Sequence, residues 1–470
     1  MSRSRIVRYA LSTATVVSIV AGPIITAPPA SASFLGKPGN IFVSAHKPGS
    51  SDYDIWQITP GGALVENQTG HNNTRDLSPV VSPEGGPHIV FVGKPNGGGE
   101  GDIYVVDRDS PGRGNPKIDQ LTNSPADDEE PTWAPSGGKI AWARAEGKAQ
   151  PVIWTMSLLG AKQEALRCCR GDRVQDTIKG SEPSWSPDSN LIAYVDPNRR
   201  IMLATVDRRE APKFVTQGTS PNWSPLGERL AFIRNGSLWV HNFDTDKDIL
   251  VDARPSGAPD ESPAWAPDSF SANNDLIVFS RGDDVFTVPP RAGATERRIG
   301  TSLVATHPDW MPDCNKKGSD GRDKIEGTDQ PELLCGREGD DVIDGNGGSD
   351  RIFAGEGDDV VNAGPGNDFV LGGQGGDSNV IYGGPGNDHL EGGYGDDKIF
   401  DTGRNSGVDE IQGQPGNDII HGDDGDPRNG DIVDGGEGHD TCWADIREAE
   451  SAPYDFVWEC EGLTVVHQLV

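Results

Sequence analysis

The residues with the strongest chemical content are a file of aspartates placed nine apart. Gly336 to Asp344 reads Gly-Arg-Glu-Gly-Asp-Asp-Val-Ile-Asp, and Gly345 to Phe353 reads Gly-Asn-Gly-Gly-Ser-Asp-Arg-Ile-Phe. Ala354 to Asn362 follows as Ala-Gly-Glu-Gly-Asp-Asp-Val-Val-Asn. The shared pattern is Gly-Gly-x-Gly-x-Asp-x-U-x, with U a large apolar residue. Its sixth position supplies Asp341, Asp350, Asp359, Asp368 and Asp377 in one register and, past a two-residue insertion, Asp388 and Asp397. Looser units carry Asp409, Asp418, Asp431 and Asp440. A carboxylate repeated in a glycine-rich loop suits a hard cation. Calcium takes six to eight oxygens from carboxylates and backbone carbonyls, and glycine reaches positive φ cheaply, so such a loop can turn its carbonyls towards an ion. The expected ligands of several Ca2+ ions are Asp341, Asp350, Asp359, Asp368, Asp377, Asp388, Asp397 and Asp418.

These carboxylates need strands to hold them. Two residues after most of the aspartates stands an apolar side chain: Ile343, Ile352, Val361, Val370, Leu390, Ile399, Ile411, Ile420 and Val433. Each starts a short strand with that side chain inward. A disordered acidic tail has no reason to keep this register. The repeat resembles the calcium-binding nonapeptide repeat of RTX proteins. The resemblance implies that nine residues make half a turn of a flattened right-handed coil, a parallel β-roll. Alternate units then stack, and ions lie between stacked loops bridged by Asp341/Asp359, Asp350/Asp368 and Asp359/Asp377. Gly318 to Glu326 already fits the pattern and carries Asp323, while Gly327 to Cys335 is degenerate, with Glu332 in the aspartate place. Ile381 is expected inward. Asp401 to Val408 and Asp424 to Gly430 read as bulging loops, which weakens the case for calcium sites beside them.

The charge follows the repeat. Of a formal net charge of −32, most lies between Asp313 and Val470, which hold 37 acidic and 10 basic residues. Phosphate would be repelled, so nucleic acid is not an expected partner. Mutual repulsion should also keep the metal-free repeat from folding and make metal binding and folding one event.

The other landmarks concern export. Arg3, Arg5 and Arg8 precede a mostly apolar stretch from Tyr9 to Ile25, and Ala30-Ser31-Ala32 offers a cleavage site. Residues 1–32 therefore read as a signal peptide, with a secreted, extracellular bacterial product and no membrane span after cleavage. Six cysteines suit that compartment. Cys314 and Cys335 bracket the start of the repeat and Cys442 and Cys460 its end, so these pairs are preferred among 15 connectivities. The adjacent Cys168 and Cys169 are left as a strained vicinal disulfide, free thiols or interchain partners.

Upstream lies a longer period. Short strands such as Ile89-Val-Phe-Val92, Ile140-Ala-Trp-Ala143 and Ile277-Val-Phe-Ser280 are each followed by a second, such as Asp102-Ile-Tyr-Val-Val106. A proline-tryptophan turn recurs at Pro131-Thr-Trp-Ala-Pro135, Pro183-Ser-Trp-Ser-Pro187, Pro221-Asn-Trp-Ser-Pro225, Pro263-Ala-Trp-Ala-Pro267 and Pro308-Asp-Trp-Met-Pro312, with Val81 replacing tryptophan in the first copy. Short β-branched and aromatic runs bounded by Pro, Gly and Asp are strands, and this spacing is that of propeller blades. The pattern resembles the TolB-like six-bladed β-propeller. The first strand, Ile41-Phe-Val43, lacks an anchor before it and the last anchor lacks strands after it, so the two should join into one blade. The tryptophans are expected to pack between blades. Acidic clusters before the anchors, at Asp127 to Glu130, Glu182, Asp260-Glu261 and Asp76, read as solvated turns, or as an acidic channel mouth if they face inward.

The whole reads as an all-β chain: signal peptide 1–32, propeller 33–312, calcium-binding β-roll 313–443 and C-terminal cap 444–470. No His-Glu-x-x-His, Gly-x-Ser-x-Gly or phosphate loop occurs, and the histidines, His389 included, read as surface residues. The expected function is calcium-dependent binding of an extracellular protein or cell-wall ligand without catalysis. A propeller enzyme of lactonase or lyase type is the alternative.

Overall fold

A computed structural model describes residues 37–470 outside 71–73, 84–87, 96–98, 109–116, 136–137, 158–159, 161, 171–172, 188, 207–210, 226, 253–257, 268–275, 374–376, 402–406, 423–430, 445–455, 459, 461–463 and 466–470. The signal-peptide reading of 1–32 lies outside the described residues. Among the described residues every regular element is a strand. Among those residues no helix is long and apolar enough to cross a membrane.

The first half forms six four-stranded antiparallel sheets. One blade is closed from both ends of the domain. Val304–Asp313 pairs with Lys37–His46, with Ile41 opposite Trp310, and Asp54–Ile58 and Leu64–Asn67 complete it. Joining the ends removes two free sheet edges, each a template for aggregation. Trp133, Trp185, Trp223, Trp265 and Trp310 are buried in the apolar clusters of the propeller, and Val81 is buried in its own. Trp265 shows the blade-to-blade role directly, since its indole N–H donates to Asn222 O of the preceding blade at 3.0 Å. An added hairpin, Arg167–Arg170 with Arg173–Thr177, stands between the third and fourth blades in chain order and has no counterpart in the repeat pattern. It carries Cys168, which joins neither of the disulfides formed at the roll.

The second half is a two-sheet roll of parallel strands, eight in each sheet. Each strand pairs with the one two units later, as in Ile343 opposite Val361 and Ile352 opposite Val370. The inward residues, among them Ile343, Val361, Ile381, Ile399 and Ile420, form one buried column. Each contributes roughly 1.5–3 kcal/mol by leaving water. Cys314–Cys335 and Cys442–Cys460 close the two ends. The C-terminal segment leaves the nonapeptide pattern but not the architecture, since Phe456–Trp458 and Thr464–Val465 add the last strand to each sheet.

The roll's two outer faces differ. The sheet containing Leu333–Glu338, Arg351–Glu356 and Phe369–Leu371 buries Leu333, Phe353, Phe369 and Leu371 in an apolar cluster of its own. Arg351, 1 % exposed, lies beneath with its guanidinium 4.3 Å from the Phe369 ring and donates to Pro135 O of the third blade. The opposite face leaves Val342, Val360 and Tyr382 exposed, and Tyr382, Phe400, His421 and Trp443 stack ring on ring along it. Their ring faces are spent on one another.

Candidate metal centre

Two files of polar side chains run along the edges of the roll. One contains Asp323, Asp341, Asp359, Asn379, Asp397, Asp418 and Asp440. The other contains Glu332, Asp350, Asp368, Asp388, Asp409 and Asp431. One rule links them. The backbone N–H of each member donates to the side-chain Oδ1 of the member one full turn later. Asp341 N reaches Asp359 at 2.7 Å, Asp359 N reaches Asn379 at 3.0 Å and Asp397 N reaches Asp418 at 2.8 Å. Along the other edge the same bonds run from Glu332 N to Asp350, Asp350 N to Asp368, Asp368 N to Asp388 and Asp388 N to Asp409. The pattern uses one carboxylate oxygen to hold the coil and leaves the other for a ligand.

Seven of the eight aspartates expected as ligands lie in these files, and Asp377 does not. Ile381 is fully buried in the inward column, which places Asn379, two residues earlier, at the rung. The two extra residues therefore fall before this rung and not after it. Asp377 sits upstream, where its Oδ2 accepts from Gly357 N at 2.8 Å. The pairs Asp341/Asp359 and Asp350/Asp368 stack, whereas the third pair is Asp359/Asn379, with one charge fewer. Asp409, Asp431 and Asp440 join the files despite the insertions beside them. The signal for them was the same apolar residue two positions on, at Ile411, Val433 and Cys442.

The second oxygens test whether a cation fits. Oδ2 of Asp341, Asp350, Asp359, Asp368, Asp388, Asp397, Asp409 and Asp418 is buried without a hydrogen-bond partner. Leaving a buried charged acceptor unsatisfied is costly, and eight in ordered files are a donor set for hard cations. Small residues make room beside them. A Cβ at Gly345 would lie 2.8 Å from Asp350 Oδ2, and one at Gly392 would lie 2.6 Å from Asp397 Oδ2. Without metal the carboxyls are forced upward in pKa. Burial, then the charge of Asp368, pushes Asp350 up to about 8, and burial pushes Asp359, Asp368, Asp397 and Asp418 to about 7. The residues fit calcium, which would neutralise these files and satisfy their second oxygens.

His389 is partly exposed, but its ring is engaged on both sides. It stacks on Phe369 and stands between Glu391 at 2.7 Å and Glu410 at 3.3 Å. Burial alone would lower its pKa, but hydrogen bonds to the two carboxylates override that and push it up to about 10.

The propeller encloses a second polar space, a central channel of about 790 Å3. The residue before the anchor proline has positive φ in every blade: Ser78, Glu130, Glu182, Ser220, Ser262 and His307. Each stands at a bulge of the innermost strand, where the extra residue re-aims the chain, and all six line the channel. Glu130 and Glu182 thus face inward and are not solvated turns, whereas Glu261 borders the channel but stays exposed. Glu182 N donates to Glu130 Oε2 at 2.6 Å, and Ser220 N donates to Glu182 Oε2, so these carboxylates tie neighbouring blades together. Burial, then the Glu182 charge, pushes Glu130 up to about 8. Asp76, Asp128 and Asp260 are buried. Asp128 pairs with Arg144 at 2.7 Å, and Asp260 with Arg281 at 2.6 Å.

Comparison with known proteins gives a family match in the C-terminal half. Residues 317–350, 336–370, 344–378, 374–400 and 405–442 match the RTX calcium-binding nonapeptide repeat (4 copies). The C-terminal region is thus built of RTX calcium-binding repeats. Similar solved structures include TolB from Acinetobacter baumannii, at 16 % identity and a TM-score of 0.45, covering 58 % of this chain and 67 % of that one. A putative TolB from Agrobacterium tumefaciens has 15 % identity and a TM-score of 0.40, covering 58 % and 99 %. Kuenenia stuttgartiensis hydrazine synthase has 14 % identity and a TM-score of 0.43, covering 62 % and 50 %.

Proposed function

We propose, from a C-terminal region made of RTX calcium-binding repeats, that this is an exported protein whose roll folds and stiffens when it meets extracellular calcium, and whose propeller binds a partner. The observation that carries the reading is the row of eight buried carboxylate oxygens without partners. The chain supplies the rest. Backbone N–H groups fix each carboxylate through Oδ1, the inward apolar column sets the spacing of the rungs, and the two disulfides hold the ends. Calcium supplies the positive charge that lets the files stand close together. In its absence the same files repel unless they take up protons, so the metal-free roll is only weakly stable and the ion drives its folding. The basic and apolar N-terminal stretch supports export, and a compartment with abundant calcium supports the switch.

The propeller is assigned a binding role without catalysis. Two of its channel carboxylates are engaged in blade-to-blade hydrogen bonds, which is a structural use. An extracellular protein or a cell-wall polymer is the partner class proposed.

The test is a calcium titration of the full chain followed by far-ultraviolet circular dichroism and thermal melting, with magnesium as the control. A gain of strand signal and of melting temperature with calcium alone is expected, growing as RT ln(1 + [Ca]/Kd) for each site. A roll equally folded and equally stable in chelator would refute the switch.

A further inference from the structure

The unit that leads to Asp409 breaks a rule kept along the rest of the roll. The residue two positions after the inward apolar one is elsewhere Gly or Ala, as at Gly345, Ala354, Ala363, Gly383, Gly392 and Gly413. The reason is steric, because this residue faces the second oxygen of its own unit's aspartate. After Ile399 the position is held by Asp401, buried at 1 % exposure. It lies between two of the stretches that match the calcium-binding repeat, 374–400 and 405–442, and belongs to neither.

The extra carboxylate points into a rung. Asp388 N donates to Asp409 Oδ1 at 2.6 Å, so these two are stacked partners. Oδ2 of Asp388 and Oδ2 of Asp409 are both buried without a hydrogen-bond partner, and the two residues are 3 % and 1 % exposed. Asp401 Oδ1 accepts from Gly384 N at 3.2 Å. A Cβ at Gly383 would lie 2.9 Å from Asp388 Oδ2 and 3.0 Å from Asp401 Oδ1, so both oxygens border one small space. Ligand oxygens of Asp388, Asp401 and Asp409 all lie within 4.8 Å of one another, and among the described residues this is the one such group of three. That span matches two calcium–oxygen bonds of about 2.4 Å laid end to end. Three buried carboxylates at such range stand together only with protons or a cation among them.

We propose that Asp388, Asp401 and Asp409 form a distinct three-carboxylate calcium site, the tightest in the roll, which fills before the two-carboxylate rungs. The inference rests on the reading of the roll as calcium-binding. It adds that one residue outside the repeat pattern sets the order of loading. The site lies on the C-terminal side of the roll's middle, where the spacing from Asp388 to Asp409 is three residues longer than the regular eighteen. An early ion there would hold the rungs on either side of this longer turn in register.

The experiment titrates calcium into stripped full-length protein against a chromophoric chelator, for the native chain, Asp401→Asn and Asp401→Gly. The glycine variant restores the residue that other units carry and should fold. Both variants are expected to lose about tenfold or more in the affinity of the tightest site, as affinity follows ligand charge. Circular dichroism at saturating calcium should stay the same. In chelator both variants should melt no lower than the native chain, since a crowded carboxylate has been removed. Unchanged affinity of the tightest site in both variants overturns the proposal and leaves the calcium-binding roll intact. A lower melting temperature in chelator also overturns it, because Asp401 would then be a structural acid. Absence of calcium binding by the native chain sinks this proposal together with the reading beneath it.

Discussion

Arg351 has given up nearly all its water at the place where roll and propeller meet. Its guanidinium stacks on Phe369 at 4.3 Å and Phe353 at 5.6 Å and donates to Pro135 O. Burial pulls its pKa down to about 9, against the pull of Glu391. The volume and stacking of this side chain should therefore matter more than its charge. Arg351→Ala is expected to cost about 2–4 kcal/mol through lost packing, whereas Arg351→Met, which refills the space without a desolvated charge, should cost about 1 kcal/mol or less. Calorimetry in saturating calcium would separate the two, and equal losses would show that the charge dominates. Gly357 makes the opposite kind of demand. Its φ of +129° and the backbone of Gly339, 2.5 Å from where a Cβ would sit, leave no room for a side chain. Gly357→Ala should raise the calcium concentration needed to fold the roll by about tenfold or more, equivalent to roughly 1.4 kcal/mol. An unmoved midpoint would mean that this loop relaxes freely.

At the scale of the roll, the aspartate files set the response to pH. In the metal-free fold burial raises Asp359, Asp368, Asp397 and Asp418 to about 7, Asp350 to about 8 and Asp388 to about 9, above the ordinary 3.8. The folded metal-free roll therefore holds protons that the unfolded chain releases. The stability owed to these groups is complete below the unfolded pKa and is lost as pH rises through 7 to 9. In chelator the roll should accordingly melt higher at about pH 4 than at about pH 9. In calcium the order should reverse, because protons compete with the ion for the same oxygens. Melting curves at the two pH values, with and without calcium, check both signs, and a metal-free roll that gained stability with rising pH would contradict the burial of these carboxyls. Much of this element was legible in the sequence, because one apolar residue and one aspartate per nine fix both the inward column and the polar file. The misplacement of Asp377 shows the limit. With a two-residue insertion nearby, the aspartate spacing admits two registers, and only the burial of Ile381 selects Asn379. Asp401 was hidden for a related reason, since a residue that departs from the pattern looks like loop until the stacking of turns shows what it faces. In the propeller the Trp-Pro anchors disclosed the blades and their closure. The left-handed residue before each anchor proline was not visible, because positive φ at Glu130 or His307 arises from the bulge against the neighbouring strand and not from residue type.

At the scale of the molecule, the two halves are coupled through one sheet. The apolar face of the roll that carries Phe353, Phe369 and Leu371 is buried, and Arg351 reaches from it to Pro135 of the third blade. Gly138 of the same turn approaches Glu391 of the roll, and Lys162 pairs with Glu437 at 3.1 Å across exposed surface. The exposed pair is worth little by itself, so the buried face is the substantial link. If calcium folds the roll, it also assembles this face, and the third blade should register the ion without binding it. Hydrogen exchange on the full chain is expected to show the Ala134–Ala145 segment slowing severalfold when calcium is added, because its outer turn becomes covered. Segments of the fifth and sixth blades, such as Arg229–Arg234 and Ile277–Arg281, should exchange at the same rate in chelator and in calcium, since no contact of theirs with the roll is needed to hold them. Protection that rose equally in all blades would indicate calcium acting on the propeller itself, through its acidic channel. Protection confined to the roll would mean that the buried face stays assembled, or stays apart, whatever the state of the aspartate files.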